Sequence, residues 1–265
     1  MRKYWQIVKI TFEEYFEYRL NFLLWRFRNF VSFLTLFFFW LAIFGSRGEL
    51  LNYQKSQLLT YVVGVAFLRS IVLASRSVDL SGQIRSGELT KLIMWPLGML
   101  QYWFSRDLTD KVLNIFFTIF EIGLILAIFK FPLYFPKNQV TYFWFLLFVI
   151  FGVFLYFFIS FTIAVVTFWV DEIWATRWLF GIIFLEFFAG AFFPIDILPN
   201  WLTKIIYLTP FPYLVFSPLK IWLEQLSGFM ITKAFLVCLA WLVFFWRLSL
   251  SLWERGAKNY GAYGG

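Results

Sequence analysis

VTYFWFLLFVIFGVFLYFFISFTIAVVTFW, residues 140–169, runs for 30 residues without a charged side chain. A helix needs roughly 20 mostly apolar residues to cross a hydrocarbon core of about 30 Å, so this stretch reads as a membrane span. It shows no period-two alternation of apolar and polar residues, which excludes a transmembrane β-strand. Backbone groups in lipid must then be satisfied within a helix. Five further stretches, mostly apolar with a few charged residues, lie at 28–45, 57–77, 110–130, 174–193 and 229–249. The chain is therefore expected to be all-α, a polytopic membrane protein with six transmembrane helices.

Of 265 residues, 62% are hydrophobic and 14% charged, which leaves no room for a soluble catalytic domain beside six spans. Residues 1–265 read as a single transmembrane domain. The 39 phenylalanines are ordinary filler for lipid-facing helices. The net charge of +8 reads as topology and carries no nucleic-acid role. Alternate connections hold 15 and 7 of the lysines and arginines. Because cytoplasmic loops collect Lys and Arg, both termini are expected in the cytoplasm. The single cysteine, Cys238, allows no intrachain disulfide and no thiolate metal cluster. With no histidine and few clustered carboxylates, general acid–base chemistry lacks its parts, and the chain does not read as an enzyme. The first 25 residues carry acids and bases throughout, unlike the short apolar core of a cleavable signal peptide.

Residues 1–27 read as an interfacial elbow. Placed at 100° per residue, Tyr4, Trp5, Val8, Phe12, Tyr15 and Phe16 share one face, while Lys3, Gln6, Lys9, Glu13, Glu14 and Glu17 share the other. Arg26 and Arg28 are expected where the chain enters the bilayer. A cytoplasmic segment at 78–109 follows the second span, too polar to insert and too patterned for a slack linker. After the break at Ser86-Gly87, Leu89, Leu92 and Ile93 are expected on one side, flanked by Glu88 and Lys91, until Pro96 stops the helix. A short, half-apolar helix on the inner face suits docking of a soluble partner. The glycine spacing of Gly82–Gly87 imitates a phosphate-binding loop, but Glu88-Leu89 stands where that loop needs Lys and then Ser or Thr, so no nucleotide is expected there. Before the last span, Pro194, Pro199, Pro210, Pro212 and Pro218 cut the external segment 193–228 into pieces too short to cross. Re-entrant helices are expected at Ile195 to Ile206 and Phe216 to Leu226, where protein or a water-filled cavity must satisfy the freed backbone.

Arg69, Glu121 and Glu186 fall inside spans two, three and five. A central charge costs about 2.5–3.5 kcal/mol on insertion scales. Ten Leu, Ile, Val or Phe between 57 and 75 offset this for Arg69. The expectation is that Arg69 pairs with Glu121 or Glu186, tying spans together near a translocation route.

Elbow, six spans, helical inner loop and proline-broken outer segment, in this order, resemble the membrane subunits of ABC-2-type exporters. Locally, Gln83-Ile-Arg-Ser-Gly-Glu-Leu-Thr-Lys-Leu-Ile-Met-Trp-Pro96 is similar to the family's cytoplasmic Ile-Arg-x-Gly-Glu-Leu…Leu-x-x-Pro stretch. Phe193-Pro-Ile-Asp-Ile-Leu-Pro-Asn-Trp201 with Thr209-Pro-Phe-Pro-Tyr213 is similar to its external hairpin, and the ending from Trp253 to Gly265 resembles the tail of one branch. The resemblance implies a permease of a cell-membrane exporter for a lipid-like, amphipathic or drug-like substrate. It implies two permease subunits, identical or related, seated on a cytoplasmic ABC ATPase dimer that holds ATP and Mg, with membrane lipids as surroundings and no cofactor in this chain. Arg85, Gly87, Glu88, Leu89 and Lys91 would then form the ATPase-coupling interface, with Asp171 and Glu172 as a smaller second contact. The alternative, an ATP-independent secondary transporter or channel, calls for a midplane ion site or an internal repeat, and no inverted repeat is evident.

Overall fold

The computed structural model describes residues 2–45, 49–50, 52–170 and 185–260. An elbow helix, α1 (Arg2–Glu17), runs into α2 (Arg19–Phe44), whose 26 residues extend about 39 Å. A small antiparallel hairpin, β1 (Glu49–Leu50) and β2 (Tyr53–Gln54), which sequence patterning does not anticipate, caps one end of the bundle, called outer after the side that the charge pattern leads one to expect, the opposite end being called inner. From it α3 (Lys55–Ile71) descends. On the inner side a 3₁₀ turn (Arg76–Asp79), α4 (Leu80–Ser86) and α5 (Leu89–Ile93) follow. Two long helices, α6 (Met99–Phe129) and α7 (Gln139–Val165), cross outward and back, the latter ending in a 3₁₀ turn at Val166–Phe168. Outside, 3₁₀ turns at Ile195–Ile197 and Phe211–Tyr213 alternate with α8 (Asn200–Ile206) and α9 (Phe216–Trp222). Finally α10 (Gly228–Asn259) returns to the inner face.

Among the described residues, α2, α6, α7 with its 3₁₀ extension, and α10 are each long and apolar enough to span, while α3 reaches that measure only together with the stretch Arg76–Ser86, from which a bend of 45° separates it. The second span therefore ends at Ile71, six residues short of the expected 77. Buried charge on α6 explains the break. Lys111 Nζ donates to Ala74 O at 2.5 Å and Asp107 accepts from the Arg76 backbone N–H at 2.9 Å, while Asp107 and Lys111 pair at 3.2 Å. Backbone groups freed by the break thus find partners in a place where none can be left unmade. The third span starts within what sequence patterning assigned to the cytoplasmic segment, because α6 is continuous from Met99. Most of the expected fifth span, 174–193, lies outside the described residues.

Two apolar clusters organise the molecule. The larger joins α2, α3, α7 and the external pieces, with Phe37, Tyr61, Leu68, Phe148 and Phe216 almost fully buried. A smaller inner one gathers Ile7 of α1, Leu80, Leu89 and Leu92 of the inner segment, Trp103 of α6 and Phe161 of α7. Both long helix ends and the inner segment therefore share one floor.

Candidate functional site

On the inner face, Gly87 takes φ 79°, a left-handed turn open to glycine, and this lets α5 fold back beside α4. Arg85, Glu88 and Lys91 are exposed on the resulting ledge. Leu89 is not: it is 0% exposed and packs with Leu92 in the inner cluster, so it anchors the ledge instead of forming its surface. Ile93, expected beside them, points outward with Met94 and Trp95, and Met94 is 72% exposed. The ledge thus offers alternating charge and an apolar tip. Asp171 and Glu172 lie outside the described residues.

Behind the ledge, Glu14 of α1 accepts from Arg106 of α6 and from Arg76 at 2.8 Å. Arg76 also reaches Asp110 at 3.5 Å. Sequence patterning set Glu14 on the solvated face of the elbow; instead a stripe of Ile7, Thr11 and Glu14 packs inward, while Trp5, Phe12 and Phe16 face outward, Trp5 with 71% exposure. Burial, with Asp110 beside it, pushes the Tyr15 hydroxyl well up, so it remains a protonated donor to that carboxylate. The elbow is therefore tied to the residues that enter and leave the ledge.

Within the bundle, Arg69 Nη2 lies 2.9 Å from Glu186 Oε2. Glu121 has a different partner, one that sequence reasoning missed: Arg26 sits 2.6 Å from Glu121 Oε1 and also donates to Thr118 at 3.2 Å and to Asn114 at 3.5 Å. Arg26 is only 5% exposed, so it is a buried partner of Glu121 and not a free charge at the protein surface. Its signal was present in the sequence: α6 carries Asn114, Thr118 and Glu121 at helical spacing, a polar stripe in an apolar helix that calls for a donor. Both ion pairs line one cavity of about 230 Å3 between α2, α3 and α6.

Outside, Asp196 accepts from Tyr53 at 2.9 Å and from Lys220 at 2.7 Å, pinning the hairpin, the first 3₁₀ turn and α9 together. Burial first and Asp196 second push the Tyr53 phenol far up, which keeps it a donor. Gly190, at φ 79°, gives its carbonyl to Tyr61 Oη at 2.6 Å, and a Cβ there would stand 2.7 Å from that same oxygen. These contacts hold the pieces of this end to one another and to α3. The expected pieces begin as anticipated at Ile195 and Phe216, but the first is split by Pro199 and the second ends at Trp222.

Among the described residues no group of three or more His, Cys, Asp or Glu is placed to hold a metal ion. A family model described as ABC-2 family transporter protein matches residues 30–264. No curated protein and no solved structure matches the chain.

Proposed function

The chain belongs to the ABC-2 transporter family, and from that premise we propose that it is the permease subunit of an ATP-driven exporter in the cell membrane, coupled to a separate ATPase. Six crossings with both termini inside are part of this reading. The end of α7 belongs to the inner cluster and residues 189–195 to the outer one, which supports a further crossing between them. ATP and Mg would be held by the partner ATPase dimer, and a second permease, identical or related, would complete the route. Arg85, Gly87, Glu88 and Lys91 would meet the ATPase, with Asp171 and Glu172 as the second contact and Leu89 as the buried root.

One observation carries the proposal: a charged, exposed ledge is rooted by Leu89 and Leu92 in the same inner cluster that holds the ends of α6 and α7. Force on the ledge is then force on the spans, since a close-packed interior transmits displacement. Closing of the ATPase would move α4 and α5, and the ion pairs of Glu14 would carry the movement to the elbow. Cargo would be lipid-like, amphipathic or drug-like.

Purification of the intact complex from native membranes provides the test. An ATPase should accompany the chain, and Glu88→Lys, an exposed change that leaves the root intact, should lower the recovered hydrolysis several-fold with the thermal midpoint unchanged. Full hydrolysis in that variant, or movement of an amphiphile by the purified chain alone under an ion gradient, would reject the reading; the latter would establish a secondary transporter.

A further inference from the structure

A groove of about 880 Å3 runs between α2, α3 and the segment after Leu185, and its two ends differ in chemistry. At the inner end stand Arg28, Arg69 and Glu186; at the outer end Phe39, Trp40, Ile43 and Phe192. The volume lies in the range of small-molecule sites. Between the ends, Ser32 and Thr35 donate back to their own helix, to Arg28 O at 2.9 Å and Val31 O at 2.8 Å, so they add no unmet polarity. Trp40 Nε1 donates to Phe192 O at 3.1 Å, which fixes the outer walls to each other.

Charge balance selects the head of the ligand. Arg26 and Glu121, in the adjoining cavity, neutralise each other, and Arg69 is matched by Glu186. Arg28 lies within electrostatic reach of the same Glu186 carboxylate and has no ion pair among the described residues. Among the described residues the inner end therefore holds two guanidiniums against one carboxylate, a net positive charge where an uncompensated cation is unfavourable. A planar guanidinium is also the side chain best shaped to receive a phosphate or carboxylate through paired hydrogen bonds.

We propose that this groove binds an anionic amphiphile, its phosphate or carboxylate head between Arg28 and Arg69 and its alkyl chain along Phe39, Trp40, Ile43 and Phe192. A zwitterionic head would bring a second cation toward Arg28 and is disfavoured. The inference rests on the permease reading only in taking the ligand as cargo. Binding is measured without ATP or ATPase, so its failure leaves that reading intact, and failure of the ATPase to copurify leaves the groove intact.

Native mass spectrometry of the full chain in a neutral maltoside detergent, titrated with decyl phosphate, gives the affinity directly. Decyl phosphocholine and inorganic phosphate serve as comparisons. Arg28 is exposed and outside the Arg69–Glu186 pair, so Arg28→Gln should keep the native thermal midpoint while weakening decyl phosphate binding about tenfold or more. Arg28→Lys should restore part of the loss. Decyl phosphocholine should bind at least about tenfold more weakly, and inorganic phosphate should not compete. Equal affinity for both heads, an unaffected Arg28→Gln variant, or effective competition by inorganic phosphate would overturn the proposal. So would cross-linking that places Arg28 against a carboxylate of a second copy.

Discussion

At Glu224 the chain turns through φ 55°, a left-handed conformation that costs a non-glycine residue about 1–2 kcal/mol. The carboxylate offsets this by accepting from Tyr134 Oη at 2.6 Å and from the Asn138 N–H at 2.9 Å, clasping α9 to the start of α7. Those hydrogen bonds, Tyr134's first, hold the Glu224 carboxyl below its ordinary value of 4.5. The same bond from the other side pushes the Tyr134 phenol up to about 12. A depressed carboxyl contributes stability above its unfolded value, and the contribution is lost as pH falls through the lower folded value. A raised phenol contributes below its unfolded value of 10.0 and loses the contribution as pH climbs toward about 12. The clasp is thus complete between about pH 5 and 10. The gap in thermal midpoint between the native chain and Glu224→Gln should be widest in that window and narrow on either side. A gap independent of pH would show that the clasp is not ionic. Gln at this position keeps the shape and one acceptor, so the comparison isolates charge.

At the scale of elements, α1 matters most, because one carboxylate gathers its ion pairs to the residues flanking the ledge. Glu14 holds Arg76 and Arg106 together, whereas Glu13, one residue earlier and largely exposed, pairs among the described residues with Lys9 alone, at 3.8 Å. Charged hydrogen bonds of the first kind contribute about 1.5–3 kcal/mol, and an exposed pair one turn apart about 0.3–0.5 kcal/mol. Glu14→Gln should therefore release α1, raising deuterium exchange across residues 4–17 while α6 stays protected. Glu13→Gln should leave both as they are. Equal exchange in the two variants would remove the elbow's link to the ledge. The helical period of α1 was readable in its sequence, but the assignment of Glu14 to water was not sound, since a two-faced wheel cannot register a third face that packs on protein. The ledge shows the same limit: Gly87 and the helices around it were legible, while Leu89 and Ile93 went to opposite sides because only tertiary packing decides which apolar residue of a short helix is covered. For Arg26 the nearness of Arg28 draws attention to the membrane entry, while its partners on the polar stripe of α6 go unread.

For the molecule as a whole, the apolar runs were enough to establish an all-helical membrane bundle, because in lipid the backbone leaves no other economical solution. They were not enough to place the ends of spans. The break after Ile71 depends on Asp107 and Lys111, residues 36 and more positions away, and no local pattern reports such a partner. The proposed number and sense of crossings rest on hydropathy and charge instead, with 15 Lys and Arg in one set of alternate connections and 7 in the other. The proposed six crossings would return the C-terminal end of α10 to the side of α1, in keeping with the ledge beside it, whose Ile84 carbonyl accepts from Tyr260 at 3.4 Å. Cys238 is fully buried, so replacing it with Ala gives a silent background for labelling. Single cysteines at the exposed positions Lys9, Glu88 and Glu254 should react with a membrane-impermeant maleimide only in inside-out vesicles, and those at Lys55 and Lys204 only in right-side-out vesicles. Labelling of Glu254→Cys from the side that labels Lys204→Cys would mean an odd number of crossings. It would also separate α10 from the inner cluster through which the ledge is proposed to move the spans.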